Sequence, residues 1–222
     1  MVPPPTPASK VVPKWYLESH KFYESNHVSF QPNSNVPEFT IKSCIPVLDA
    51  ITMGYVQTSW TDIYIERVDG NIVYRYASNP EIMSHRDQRM KQKLPAPSGF
   101  ENQLFDWKRY WIPHTPKGYS CLYTAPMYHT DLPFFTLPGV VDSDVYFGAG
   151  LHSPGFFIKK GFEGLIPAGT PLYQIIPFKR EDWEREIVFE EYQDLVINTR
   201  LRSKTKFFDN YKKLFWRKKK YV

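Results

Sequence analysis

Within residues 113–177, Gly, Pro or Asp separates short apolar segments about every ten residues, and other segments of the chain alternate between apolar and polar residues. Short alternating runs between turn residues are typical of β-sandwiches and β-barrels. The clearest example spans residues 61–77, where two alternating runs flank Asp69 and Gly70. An Asp-Gly pair tolerates the positive φ angles of a tight turn. The pattern therefore predicts a β-hairpin here and an all-β fold overall.

Alternation also predicts strands at residues 39–45 and 119–125, and a strand is expected across 140–141. Residues 172–178 form a continuous apolar run after the turn at 168–170, which predicts another strand, and one more at 186–190 is left open. Asn79 and Pro80 favour the start of a short helix, with Asn79 as the N-cap and Pro80 in the first turn. The polar run 84–93 is expected on the surface, as an excursion between strands.

The two ends of the chain differ from the middle. Five prolines within residues 1–13 predict an extended, weakly ordered arm. Residues 200–222 contain ten Lys or Arg and one acid, so this segment has a net charge of +9. Because the whole chain has a net charge of +5, the remaining residues have a net charge of −4. Phe207, Tyr211 and Phe215 repeat every four residues there, which predicts a basic amphipathic helix. We expect an arm at 1–36, a β-barrel domain at 37–190 and a basic helical tail at 191–222.

Composition sets broad limits on the class of protein. With 222 residues, 42% apolar and 17% aromatic, the chain can bury a sizeable core. No run approaches the roughly 18 apolar residues of a membrane span, so no membrane association is expected. Cys44 and Cys121 are too few and too far apart for a disulfide framework, and both are expected to be reduced core thiols.

Four segments in the second half resemble a known superfamily in their order: 116–126 (PKGYSCLYTAP), 139–146 (GVVDSDVY), 158–161 (IKKG) and 169–176 (GTPLYQII). This order is similar to the central half of the dUTPase and dCTP deaminase superfamily. The whole chain also resembles an uncharacterised domain family of large tailed phages and some bacteria, most clearly at 162–171 (FEGLIPAGTP). The resemblance implies a dUTPase-like or jelly-roll-like barrel in a phage-type protein.

The resemblance also implies roles for single residues. Asp142 corresponds to the aspartate that orients the attacking water, and Tyr146, shifted by one position because of Val145, corresponds to the tyrosine that stacks on the base. Tyr119 and Gln174 lie in the matching strands and are further ligand-binding candidates. The arginine and serine of the phosphate-binding motif are missing at 125–128 (APMY), which argues against triphosphate hydrolysis. Mg²⁺ is expected only if the chain does bind nucleotides.

Structural interpretations of the same residues are favoured. Asp142 and Asp144 are typical of tight turns, because Asp side chains accept hydrogen bonds from nearby backbone amides. A glutamine inside an apolar strand, such as Gln174, more often satisfies buried backbone groups than binds a ligand.

A second constellation consists of His129, Asp131 and His152, a His-x-Asp pair plus a distant His. This set is the ligand pattern of non-haem iron oxygenases. Only 21 residues separate Asp131 from His152, which is short for ligands on separate barrel strands. We expect that the three residues do not share a metal.

The leading interpretation is a non-catalytic phage-type barrel protein that acts in assembly or partner binding. A divergent nucleotide-binding protein or nucleoside triphosphate hydrolase that uses Asp142 is the alternative, and an iron oxygenase is third. We expect a homo-oligomer or a virion partner, in the host cytoplasm or the virion. The 200–222 tail could also contact nucleic acid, although packing of its aromatic residues against protein is favoured.

Overall fold

The computed structural model describes residues 2–20, 40–77, 79–86, 94–146, 153–187, 193–204 and 210–222. These residues form two compact units. The first unit contains residues 1–12, 51–180 and 221, and the second contains residues 13–50, 181–220 and 222. Within the described ranges, no helix combines the length and apolar character that crossing a bilayer requires.

The first unit is built from β-strands. They are β1 (Thr6–Pro7), β2 (Tyr55–Thr58), β3 (Ile63–Val68), β4 (Asn71–Tyr76), β5 (Met83–His85), β6 (Phe100–Trp107), β7 (Tyr119–Thr124), β8 (Phe134–Thr136), β9 (Gly139–Val141), β10 (Gly155–Lys159), β11 (Gly164–Ile166) and β12 (Pro171–Lys179). They pair into three antiparallel sheets, with the orders β1-β2-β12-β7-β9, β5-β6-β10-β8 and β11-β3-β4. The prediction of a β-rich fold is therefore confirmed.

The predicted hairpin is present. β3 pairs with β4 from Ile63↔Tyr76 to Val68↔Asn71, and the turn residues Asp69 and Gly70 have φ of 51° and 78°. The strands predicted near 119–125, 140–141 and 172–178 are β7, β9 and β12, and they lie side by side in the five-stranded sheet. Short apolar runs between turn residues thus predicted these strands correctly.

Aromatic side chains fill the core of the first unit. Trp107 and Phe156 stack face to face with ring centroids 3.6 Å apart, and Phe134 packs edge-on against both rings. The indole N–H of Trp107 donates to Thr136 Oγ1 at 3.0 Å, and Thr136 donates in turn to Leu172 O at 2.7 Å. All the polar atoms of this chain of contacts are therefore paired inside the core.

Two local predictions are wrong. Residues 40–45 do not form a strand: a 3₁₀ helix at Ile41–Ser43 is followed by α2 (Ile45–Thr52). Thr40 Oγ1 accepts from Lys42 N, and Ile45, Leu48 and Ile51 recur every three residues, a spacing that suits a helix. Phe39 lies outside the described residues.

The second error is the helix expected at Asn79 and Pro80. The segment instead leads into strand β5, which pairs with β6. Ile82 and Met83 are completely or almost completely buried. Ile82 O accepts from Lys108 N at 2.9 Å, and Met83 O accepts from Tyr76 Oη at 3.4 Å. Of the polar run predicted as an excursion, residues 87–93 lie outside the described residues. Of the possible last strand at 186–190, residues 188–190 also lie outside them, and residues 181–187 have no regular structure.

The start of the chain packs instead of remaining a weakly ordered arm. β1 pairs with β2, Ala8 is fully buried, and Ala8 N donates to Gly54 O at 2.9 Å. Gly54 is needed at this point because its φ is +69° and an added Cβ would lie 2.1 Å from Ile175 O. Proline residues restrict the backbone of this segment and so reduce the entropy lost when it packs.

The second unit contains helices: α1 (Lys14–Glu18), the 3₁₀ turn at Ile41–Ser43, most of α2, α3 (Gln193–Lys204) and α4 (Asn210–Leu214). Lys42 connects two of these segments, because its Nζ donates to Leu17 O at 3.0 Å and to Ser19 O at 2.7 Å. These carbonyls lie at the end of α1, where a cation is favourable.

Candidate functional site

The candidate site lies at the end of the five-stranded sheet, in the turn that follows β9. Asp142 O accepts from Val145 N at 3.2 Å and from Tyr146 N at 2.9 Å, so residues 142–146 form a closed turn. Arg180 follows the last residue of β12, and its N–H donates to Gly118 O at 2.7 Å. The pairing of β12 with β7 and of β7 with β9 brings Arg180 to this turn.

Asp144 is the most strongly held carboxylate of the turn. Its side chain is only 2% exposed, both of its oxygens accept from the guanidinium of Arg180, and Oδ2 also accepts from Gly118 N at 2.8 Å. The bonds from Arg180, followed by the bond from the Gly118 amide, lower the pKa of Asp144 to about 2. This carboxylate is ionised over the physiological range and stabilises the turn.

Asp142 shares the same guanidinium. Its Oδ1 accepts from Ser120 Oγ at 2.7 Å and lies 3.1 Å from Arg180 Nη1. Its side chain is 57% exposed, unlike that of Asp144. Arg180 Nη1 also donates to Tyr119 O and to Ser120 Oγ, which ties the two acids to the start of β7. Asp142 is therefore one member of a clamp formed by these acids, Arg180 and Ser120.

Ser143, between the two acids, fixes the turn from the inside. It is 2% exposed, its hydroxyl donates to Cys121 Sγ at 3.2 Å, and it lies 2.9 Å from Thr115 Oγ1. Burial raises the pKa of the Cys121 thiol, so the thiol stays protonated and unreactive. The three residues Asp142, Ser143 and Asp144 therefore have the contacts of a structural turn.

The other predicted ligand-binding residues do not all meet Asp142. Tyr146 closes the turn through its backbone, and Tyr119 contributes its carbonyl to Arg180; both residues are half-buried. Gln174 lies on β12 six residues before Arg180, and six residues of extended strand span about 20 Å. The structure thus groups Asp142, Tyr146 and Tyr119 but places Gln174 elsewhere.

Gln174 connects two loops of the first unit. It is 1% exposed, its Oε1 accepts from Met127 N at 2.9 Å, and its Nε2 donates to Met53 O at 2.7 Å. These are the contacts that the structural interpretation of this glutamine expects, because both ends of the amide bond to backbone groups.

Two members of the iron-ligand set are described. His129 Nε2 lies 3.0 Å from Val11 O, and since a carbonyl only accepts, Nε2 must carry the proton. Burial lowers the pKa of His129, which keeps the ring neutral. Asp131 is exposed, and His152 lies outside the described residues. Among the residues that the structure describes, no cluster of three or more His, Cys, Asp or Glu could hold a metal ion.

The basic tail contacts helix α2 through Trp216, which is not one of the three aromatic residues in the four-residue repeat. Trp216 Nε1 donates to both oxygens of Asp49 at 3.0 and 2.9 Å, and Lys219 pairs with the same carboxylate. Tyr211 and Phe215 remain 48% and 39% exposed. Phe207 lies outside the described residues, so packing of these three aromatics against a partner stays a prediction.

Sequence reasoning missed two arginines. Arg180 could have been found, because it follows an apolar strand that pairs with the one carrying Ser120. No sequence pattern pointed to Arg109. In the structure it is 5% exposed, it donates to Tyr123 Oη at 3.1 Å, and its guanidinium lies 5.7 Å from the centre of the Tyr123 ring. Burial raises the pKa of Tyr123 and of nearby Tyr173, so both phenols are neutral.

Comparison with models of known protein families finds no match for this chain, and comparison with curated protein sequences finds no relative.

Proposed function

We propose that this chain is a non-catalytic protein that works by binding partners in an assembly, and that it self-associates through its second unit. The observation that carries the non-catalytic part is the clamp of the Asp-Ser-Asp turn. Asp144 is fully engaged by Arg180 and Gly118, and Asp142 Oδ1 by Arg180 and Ser120. A carboxylate that holds a turn together is a poor water-positioning group, because using it would break these bonds.

The same contacts argue against the nucleotide hydrolase alternative. Triphosphate chemistry needs Mg²⁺ held by carboxylates together with several cationic donors to the phosphates. Both oxygens of Asp144 and Oδ1 of Asp142 contact the guanidinium of Arg180, so these oxygens are poorly placed to hold a Mg²⁺ ion. The residues at 125–128 supply no arginine for the phosphates.

For the first unit we propose a dUTPase-like or jelly-roll-like barrel of phage type. The segments that resemble the dUTPase superfamily include much of β7, β9 and β12, and these three strands belong to one sheet. Loss of the phosphate-binding motif from such a scaffold suits a protein that has kept the fold for binding rather than for chemistry.

Self-association is supported by exposed groups of the second unit. Residues 181–187 carry four acids and one arginine, and within them Trp183 is 85% exposed and Ile187 61% exposed. Residues 210–222 carry six cations and no acid. Opposite charges favour contact between the acidic segment of one copy and the basic tail of another. Tryptophan is among the side chains enriched in the residues that contribute most to binding at such interfaces.

Light scattering during size-exclusion chromatography tests this proposal. We expect a mass of at least two chains for the native protein, and a shift toward one chain for Trp183→Ser. Tyr64→Ser is the matched control, because Tyr64 is 49% exposed but lies on β3 of the first unit. A native protein that elutes as one chain at every concentration would contradict self-association. Single-stranded DNA binding that needs residues 200–222 would favour the nucleic-acid role of the tail instead.

A further inference from the structure

A cavity of about 480 Å³ lies within the second unit, apart from the turn clamp and from the acidic segment 181–187, and one of its lining residues, Lys212, belongs to the basic tail. Its lining includes Tyr16 from α1, Lys42 and Ser43 from the 3₁₀ turn, Ile45 and Leu48 from α2, and Lys212 from α4. Cavities of about 300–1,000 Å³ are the usual size of small-molecule sites. The volume therefore suits a ligand the size of a nucleotide or a sugar phosphate.

The lining residues that the structure describes carry one sign of charge. They contribute two ammonium groups, those of Lys42 and Lys212, together with the imidazole of His20, and none of these described residues carries a carboxylate. Asp49, an acid on α2, is engaged by Trp216 and Lys219 and does not line the cavity. A cavity with cations and without acids attracts anionic ligands.

Lys42 is held in place before any ligand binds. Its Nζ donates to Leu17 O and Ser19 O and lies 5.6 Å from the centre of the Tyr16 ring. An ammonium group has three N–H donors, so one remains for a ligand after these two bonds. Because the long side chain is already ordered, binding loses little of its rotamer entropy.

Apart from the charged groups and the polar Ser19 and Ser43, the described lining is apolar. Ile45 is 6% exposed, and Leu48 and the ring of Tyr16 add further apolar surface. A ligand that satisfies both parts needs an anionic group for the lysines and a flat or apolar body for these side chains. Inorganic phosphate meets only the first requirement.

We propose that this cavity binds a small organic phosphate, with Lys42 and Lys212 neutralising the phosphate and Tyr16, Ile45 and Leu48 contacting the apolar body. Lysine binds phosphate as a compact point charge, so two lysines in one lining suit a phosphate monoester. The binding is non-covalent and uses no group of the Asp142 clamp.

Isothermal titration of the full chain with adenosine 5′-monophosphate, ribose 5-phosphate and inorganic phosphate tests the proposal. We expect saturable binding of one adenosine 5′-monophosphate per chain, weaker binding of ribose 5-phosphate, and the weakest binding for inorganic phosphate. Equal affinity for all three would overturn the role of the apolar side chains. Absence of saturable binding for all three would overturn the site itself.

Variants locate the binding. Lys212→Gln is the decisive change, because Lys212 is exposed and its ammonium lies 5.9 Å from the ring centre of the half-buried Trp216, which is a weak contact. We expect affinity to fall about tenfold. Lys42→Gln also removes the bonds to Leu17 and Ser19, so it is interpreted only if its circular dichroism is native. Lys218→Gln removes the same charge from the tail outside the lining and should leave affinity unchanged. Equal losses for Lys212→Gln and Lys218→Gln would show that general tail charge, and not the cavity, attracts the phosphate.

Discussion

Replacement of Gln174 by leucine tests whether this glutamine stabilises the fold or binds a ligand. The leucine side chain has a similar size but cannot bond to Met127 N or Met53 O, which the amide of Gln174 reaches at 2.9 and 2.7 Å. Each backbone group left without its partner inside the protein costs about 1–2 kcal/mol. With two such groups we expect Gln174→Leu to lower the free energy of unfolding by about 2–4 kcal/mol.

Urea titration and thermal melting, both followed by far-ultraviolet circular dichroism, measure this change. For a chain of this size about 1 kcal/mol shifts the melting temperature by about 2–4 °C, so a decrease of roughly 5–15 °C is expected. Gln193→Leu is the control, because Gln193 is exposed at the start of α3 and its replacement should stay within about 0.5 kcal/mol. A Gln174→Leu protein as stable as the native one would refute the structural role.

Three further predictions concern hydrogen bonds and ion pairs, two of them inside the first unit and one inside the second. Because the pKa of Asp144 is lowered to about 2 in the folded chain, its ionised form adds stability above about pH 4, and this contribution is lost as the pH falls toward 2. Asp144→Asn should therefore show a flatter acid dependence in urea titrations between these values, and an unchanged slope would contradict the clamp. Trp107→Phe should lower stability by about 1–3 kcal/mol in the same titration, because it removes the bond to Thr136 and leaves unfilled space in the core; a neutral result would contradict the described packing. Deletion of residues 210–222 removes both partners of Asp49, so the helical signal should melt at lower temperature, and an unchanged melting curve would show that this attachment has no energetic role.

The sequence predicted the fold best where local and tertiary signals agree. The Asp69-Gly70 turn fixes the β3–β4 hairpin, and the apolar runs of β7 and β12 have no competing helical pattern. Residues 40–45 also alternate between apolar and polar side chains. However, the buried side chains of this region, Ile45 and Ile51, lie on helix α2 and not on a strand. At Asn79 and Pro80 the helix-start signal was overridden by the pairing of β5 with β6.

The site was only partly predictable for the same reason. The turn role of Asp142 and Asp144 follows from their residue types, and the structure places both in a turn. Their partner Arg180 is 36 residues after Asp144 and meets it through strand pairing across the sheet, which single-sequence patterns do not specify. Trp216 was likewise hidden, because its contact with Asp49 joins residues 167 positions apart.

The most direct test of the non-catalytic proposal is nucleoside triphosphate turnover by the purified protein in the presence of Mg²⁺. Release of phosphate and pyrophosphate from dUTP, dCTP and ATP should stay at the rate of a buffer control. The native protein and Asp142→Asn should be indistinguishable. Turnover by the native protein that is abolished in Asp142→Asn, while the variant keeps native circular dichroism, would contradict the proposal and identify Asp142 as a catalytic residue.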